Sequence, residues 1–299
     1  GHNSTIHNGI SRIGFYTGGQ AARFRDEDLA DKWVEKSIEI IAEESDAPFF
    51  LFFSSHDIHV PRIPHERFQG ATELGFRADS IIQFDWCVGA LVKALKQNRK
   101  LDNTLIIVCS DNGPVMDDGY KDFALEKLGD HRAAGPYTGG KYSVYEGGTR
   151  TPFITYWKGQ IKSSVSDEMV CTIDLAGSLA ALTGQVLPQD ACVDSFNVLK
   201  ALMGQKGAKG RAHLVQQNNG NNGTYALRDG DWKLHRYDRK TARNVVVEKQ
   251  LANVKVPPYM LFNLANDPTE SKNVIADHPE IAGRMKEQLA EIIESGRSR

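Results

Sequence analysis

"APFFLFFSS" (residues 47–55) and "NTLIIVCSDNG" (residues 103–113) bracket "ADSIIQFDWCVGALVKALKQ" (residues 78–97), and the reading of this stretch decides the fold. The first run is apolar from Phe49 to Phe53, with Pro48 at its edge. Consecutive apolar positions in a run too short for a helix predict a strand buried on both faces, as in a parallel sheet. The second run, Leu105 to Cys109, reads the same way, and the segment between them has the length and spacing of a helix. Strand, helix and strand in that order predict an α/β protein with a mostly parallel central sheet flanked by helices. Upstream, Asp26, Glu27 and Asp28 supply the negative charge that favours a helix start, and Leu29, Trp33, Ile40 and Ile41 then fall on one helical face.

Past residue 205 the pattern changes. "KGAKGR" (206–211) reads as a linker, followed by the short alternating segments "AHLVQQ", "TYALRDGDWKLHRY" and "YMLFNL", with a turn at Asp229-Gly230. These predict a small antiparallel sheet, closed by an amphipathic helix over "HPEIAGRMKEQLAEIIESG". The expected division is therefore an α/β core over residues 1–205 and a small α+β subdomain over 206–299. The opening "GHNSTIHNGISRIGFYTGG" has neither a basic start nor an apolar core, so it is not a signal peptide. It reads as mid-chain loop.

The bulk composition narrows the function classes. In 299 residues, 25% are charged and the net charge is −2, which gives no electrostatic case for nucleic acid or an anionic membrane. No apolar run approaches the roughly 20 residues that cross a bilayer. Cys87, Cys109, Cys171 and Cys192 have no C-x-x-C spacing and read as buried small hydrophobes.

In open α/β sheets the ligand lies beyond the carboxyl ends of the strands. There the chain places "SSHDIHVP" and "SDNGPV". Asp111 and Asn112 offer two hard oxygen donors of the kind Ca²⁺ or Mg²⁺ takes, and they equally suit a turn cap before Gly113-Pro114. Two donors are too few for a complete site. His56 and His59 flank Asp57-Ile58, but no Cys or His cluster completes a tetrahedral zinc set. For His59, an anion contact or a proton donor is the functional reading. Lys141 is either a solvated charge or an anion ligand, and the glycine pair before it lets backbone approach a ligand closely. The surrounding "YTGGKYSVYEGGTRTPF" (137–153) is too glycine-rich for a helix, and an ion pair of Glu146 with Arg150 is expected to hold the loop. His131, in "GDHRAAGPY", is an ordinary loop histidine by default.

Taken in order, "PFFLFFSSHDIHVP", "NTLIIVCSDNGP", "GGKYSVYEGGTRTPFI", "IDLAGSLAALTG", "LRDGDWKL" and "LFNLANDPTESKNV" resemble the type I (formylglycine-dependent) sulfatases of the alkaline-phosphatase-like superfamily, bacterial ones in particular. The resemblance covers nearly the whole chain. It implies that Asp111 and Asn112 bind the divalent cation, usually Ca²⁺ and otherwise Mg²⁺. It implies that His59 contacts the sulfate ester and that Lys141 binds the sulfate oxygens and the bridging oxygen. The loop around His131 and "QQNNGNNGTYALR" then become candidates for choosing the sugar.

One departure matters as much as the match. The family's nucleophile arises in a Cys-x-Pro-Ser-Arg motif, and none of the cysteines here, nor any serine, stands in that context. The expectation is the C-terminal portion of a sulfuric ester hydrolase acting on a sulfate ester, on a sulfated glycan or an aryl sulfate, and inactive alone. Such a chain would associate with the segment that precedes it or form a homo-oligomer, and the family implies a periplasmic or secreted setting. The alternatives are a non-catalytic, truncated sulfatase-like fragment or glycan-binding module, and a phosphodiesterase of the same superfamily. The last usually needs late metal-binding His and Asp residues, and no such motif is present.

Overall fold

The computed structural model describes residues 24–60, 62–117, 122–218, 224–237 and 256–299. The opening loop expected over the first residues lies outside them, as does part of "QQNNGNNGTYALR". The chain divides into two compact units, one of residues up to Thr104 with Met116–Arg132, the other of Leu105–Val115 with Ala133–Arg299. The boundary expected near residue 205 thus falls inside the second unit.

The first unit is organised by helices α1 (Leu29–Ala42) and α2 (Phe76–Gln97). The face of α1 that is buried carries Ala30, Val34, Ser37 and Ile41, whereas Trp33 and Ile40 are exposed. The expected stripe was therefore displaced around the helix. Small residues win because they let α1 pack closely on α2, where Ala30 and Val34 meet Cys87, with Phe53, Trp86 and Ala90 around them. Ser37 is tolerated there because its hydroxyl donates to Trp33 O at 2.7 Å.

Residues 47–55 join no strand ladder among the described residues, contrary to the expected buried strand. Phe50 is 76% and Phe52 78% exposed. Apolar sequence alone does not make a strand, which needs a second backbone to receive its N–H and C=O groups.

In the second unit, β1 (Ile106–Cys109) pairs with β2 (Phe153–Tyr156), and the pairing is antiparallel, with Ile106 opposite Tyr156 and Cys109 opposite Phe153. The described ladder at this point is thus antiparallel where a parallel one was expected. β2 exposes Ile154 and Tyr156 on one face, so it is a half-covered strand.

The C-terminal sheet forms as expected. β3 (His213–Gln217), β4 (Tyr225–Asp229), β5 (Trp232–Arg236) and β6 (Tyr259–Asn263) lie in that order, every pair antiparallel. The turn between β4 and β5 uses Gly230 at φ +57°, a conformation glycine adopts without strain. On one face Leu227, Leu234 and Leu261 pack against Ala282, Met285 and Leu289. Those three belong to the terminal helix (Pro279–Ser295), here α6, after α3 (Glu146–Thr149), α4 (Leu175–Leu182) and α5 (Leu199–Leu202).

The expected linker is partly pinned. Arg211 is buried and its guanidinium donates to Asp174 Oδ1 at 2.5 Å while stacking on Phe196. A buried, paired arginine ends the freedom of "KGAKGR" at Gly210-Arg211. Of the four cysteines, all free, Cys87 is buried as expected but Cys192 is exposed.

Candidate functional site

The glycines of residues 139–148 serve close packing of backbone on backbone. A β-carbon on Gly113 would stand 1.9 Å from Gly147 O, and one on Gly148 would stand 2.3 Å from Gly140 O. No side chain fits at either place. With hydrogen there, Gly113 N donates to Gly148 O at 2.8 Å, Gly147 N to Thr138 O at 2.8 Å, and Lys141 N to Pro114 O at 2.8 Å. Three strips of chain, 113–114, 138–143 and 146–148, are thereby sewn together. The turn that follows Asp111 and Asn112 and the backbone of Lys141 are joined by this seam, although they lie about thirty positions apart in sequence.

Asp111 is exposed, and Asn112 is half-buried with its amide nitrogen donating to Gly113 O at 2.9 Å. The nitrogen is thus engaged, and the amide oxygen is the atom a cation would take. The Cys109 thiol nearby has its pKa pushed up, first by burial and then by the Asp111 charge. Hard oxygen donors suit Ca²⁺ or Mg²⁺, but Ca²⁺ gathers about 6–8 of them. Among the described residues no group of three or more His, Cys, Asp or Glu could hold an ion. What the described residues offer fits a fraction of a Ca²⁺ site. Lys141 is half-buried, with its ammonium 5.2 Å from the centre of the Tyr142 ring.

His59 and His131 belong to the first unit. His59 is exposed, its N donates to His56 O at 2.8 Å, and its Nδ1 lies 2.7 Å from Val60 O. A ring nitrogen facing a carbonyl oxygen must carry the proton, so Nδ1–H donates and Nε2 remains for a ligand. The loop is held from behind by Asp57, whose side chain receives Gln83 Nε2 at 2.9 Å and Ser55 Oγ at 3.2 Å. Burial raises the Asp57 pKa, against the opposing pull of His56 and these two donors. His131 is exposed in a turn, with its N donating to Leu128 O at 3.1 Å.

Sequence reasoning missed a buried charge cluster behind the Lys141 loop. Despite its glycines, "EGGT" forms the single helical turn α3, because Gly147 and Gly148 are needed for the seam and Glu146 is held from outside. Glu146, 1% exposed, accepts from Lys233 Nζ at 2.9 Å and from Arg228 Nη1 at 3.3 Å. Its expected partner Arg150 is also present, at a longer 3.7 Å. Glu270 accepts from the Glu146 N–H at 2.5 Å and from His235 at 2.8 Å, and lies 3.3 Å from Lys233. Lys233 and His235 alternate with Leu234 along β5, which normally means solvent on their side. Here the Lys141 loop covers that side, with Tyr145 packed edge-on to His235 at 4.7 Å. The available signal was the even spacing of two basic residues on a strand together with a lone glutamate between glycine pairs.

A family model described as Sulfatase matches residues 3–185, and another, described as N-sulphoglucosamine sulphohydrolase, C-terminal, matches residues 140–295. The chain belongs to the sulfatase family. Its fold class is the α/β, alkaline-phosphatase-like one of those proteins. An N-acetylgalactosamine-6-O-sulfatase of Bacteroides thetaiotaomicron is 44% identical over 299 residues, which is all of this chain and 57% of that protein. Human arylsulfatase A is 30% identical over 256 residues, or 83% of this chain and 48% of that protein. A solved structure concerned with the metabolism of multiple glycosaminoglycans by B. thetaiotaomicron superposes with a TM-score of 0.87 at 43% identity, covering 96% of this chain and 59% of that one. A sulfatase from Pseudoalteromonas gives a TM-score of 0.72 at 26% identity, covering 91% and 55%. The chain thus spans 57% and 48% of the length of the two curated relatives named.

Proposed function

We propose that this polypeptide is part of a sulfuric ester hydrolase and carries the cation-binding and sulfate-binding residues of one portion of its active site. The observation that carries the reading is the seam at Lys141 N and Pro114 O, 2.8 Å, which holds the loop of Lys141 against the turn of Asp111 and Asn112. A pair of oxygen donors and a lysine on adjoining, hydrogen-bonded backbone suit an ester whose oxygens gather negative charge as its bond breaks.

Asp111 and Asn112 would hold Ca²⁺, or Mg²⁺, which when bound polarises the sulfuryl oxygens as a Lewis acid. Lys141 neutralises charge on the sulfate and on the bridging oxygen. His59 is assigned the contact with the sulfate ester, and with Nδ1–H committed to Val60 O, its Nε2 would pass a proton to the departing alcohol from the imidazolium form, which carries a proton on each ring nitrogen. The loop of His131 belongs to the choice of sugar. The similarity to an N-acetylgalactosamine-6-O-sulfatase supports a sulfated saccharide, with a 6-sulfated N-acetylgalactosamine as the first substrate to try. The domain reading, a core over 1–205 and a subdomain over 206–299, and a periplasmic or secreted setting are parts of the same proposal.

No Cys-x-Pro-Ser-Arg motif occurs in this sequence, so the formylglycine nucleophile has to come from polypeptide outside it, and the chain by itself should not turn over. The test is to assay N-acetylgalactosamine 6-sulfate and an aryl sulfate, with Ca²⁺, using this chain alone and joined to the residues its gene encodes upstream. Turnover confined to the longer protein is expected, with Lys141→Ala and Asp111→Ala abolishing it. Robust turnover by this chain alone, or an unimpaired Lys141→Ala enzyme, would overturn the reading.

A further inference from the structure

We infer that Lys233 and Glu270, in the C-terminal sheet and the turn that follows it, are positioning residues for the sulfate-binding Lys141. The inference rests on the assignment of Lys141 given above. Both ends of the Lys141 loop are held by the C-terminal part of the same unit. At one end Thr138 Oγ1 donates to Thr269 O at 2.5 Å. At the other, the Glu146 N–H is taken by Glu270 and its carboxylate by Lys233 and Arg228. From Glu146 the contact path runs without a gap to the site. Gly147 N bonds Thr138 O, Gly148 O accepts from Gly113 N, and Lys141 N bonds Pro114 O.

The charges in the cluster explain why it fixes one arrangement. Glu146 and Glu270 bring two negative charges, matched by Lys233 and Arg228, with the exposed Arg150 adding a third positive charge at the edge. A charged His235 would add yet another positive charge inside the cluster. Its Nε2 donates to Glu270, and its Nδ1 is buried without a hydrogen-bond partner, so a second ring proton would have nowhere to go. Burial lowers the His235 pKa, in keeping with that. The side chains of Glu146, Glu270 and Lys233 are all buried, so neither carboxylate can exchange its partner for water. If Lys233 is removed, the cation shared by the two carboxylates is lost, and α3 with its glycine seam keeps only the longer Arg228 and Arg150 contacts and a Glu270 that repels the Glu146 carboxylate. A loop that shifts by about an ångström can lose on the order of a hundredfold in rate.

The test uses the complete enzyme, including the residues encoded upstream, in four variants: Lys141→Ala, Lys233→Met, Lys233→Arg and Glu270→Gln. The readout is the inhibition constant of inorganic sulfate as a competitive inhibitor, together with kcat. A loss of folded protein lowers apparent kcat but leaves an inhibition constant unchanged. For Lys233→Met and Glu270→Gln we expect sulfate inhibition to weaken roughly tenfold, the loss of one charge-assisted contact, with partial recovery in Lys233→Arg. If Lys233→Met proves too unstable to purify, Glu270→Gln and Lys233→Arg still decide the matter. If Lys141→Ala weakens sulfate binding and the cluster variants do not, the positioning role is wrong while the assignment of Lys141 stands. If Lys141→Ala itself leaves sulfate inhibition unchanged, the assignment falls, and the positioning role with it.

Discussion

"APFFLFFSS" at residues 47–55 and "YMLFNL" at residues 259–264 look alike on paper: short, apolar, aromatic, with the composition of strands. They end up differently. The second becomes β6, with Leu261 at 0% and Phe262 at 2% exposure, one face on α6 and the other on Tyr145. The first joins no ladder among the described residues, with Phe50 and Phe52 mostly exposed. The difference does not lie in propensity. β6 has β5 beside it, backbone to backbone over five residue pairs, and residues 47–55 have no such neighbour among the described residues of their unit.

This contrast can be broken in graded steps. The largest effect is expected at Lys233, whose loss would leave buried Glu146 with only the longer Arg228 and Arg150 contacts and buried Glu270 with no cation beside its neutral His235. Lys233→Met should cost roughly 3–5 kcal/mol in chemical denaturation, and a cost below about 1 would mean the cluster is solvated. Next comes the apolar face. Leu261→Ala should destabilise by roughly 2–5 kcal/mol, since its fully buried side chain would leave a cavity between sheet and α6.

Acid is a milder probe of the same face. Burial lowers the His235 pKa, in surroundings that include Lys233, Glu146 and Glu270, so below about pH 6.5 the unfolded chain binds a proton that the folded one refuses. Burial alone would raise the Glu270 pKa, but its hydrogen bond to His235 and the Lys233 charge hold it below the ordinary carboxylate value. Its contribution is present above the unfolded pKa and is lost as pH falls through the folded one. Both groups therefore act in the same direction, and the thermal midpoint should fall as pH drops below about 6.5. The upper part of that fall should be absent in His235→Gln. A midpoint flat from neutral pH down to about pH 5 would contradict the neutral His235.

The smallest effect is expected in the first region. Phe50→Ser and Phe52→Ser should each change stability by no more than about 0.5 kcal/mol, because little is packed against them. Light scattering should show weaker self-association, since an exposed apolar segment outside any ladder invites pairing. A loss of several kcal/mol would show that these rings are covered in solution and that the contrast with β6 is false.

Much of the C-terminal sheet was legible because its signals are local. Alternation, the Gly230 turn and the helix after Asp267-Pro268 each occupy a few adjacent residues. The parallel arrangement expected around β1 was not local, and the described pairing there is antiparallel to β2, some forty residues on. The same limit applied within α1, where crowding against Cys87 and Ala90 chose the Ala30–Val34 face over the larger Trp33 and Ile40. At the candidate site, the residue types at 111, 112 and 141 were visible in the sequence, because hard oxygens and an ammonium behind glycines are chemistry written in single residues. The partners Lys233 and Glu270 were not.

By itself, then, the sequence determined the chemistry available to this protein: the Asp-Asn pair, the histidine loop, the lysine and the short strands that build the last sheet. Only the tertiary structure decided that the glycines serve close packing and that Glu146 answers to Lys233 and Glu270. The physical reason is that propensity and residue type act over a few positions. A Cβ that will not fit, or a buried charge that must be paired, depends on backbone arriving from thirty to more than a hundred residues away.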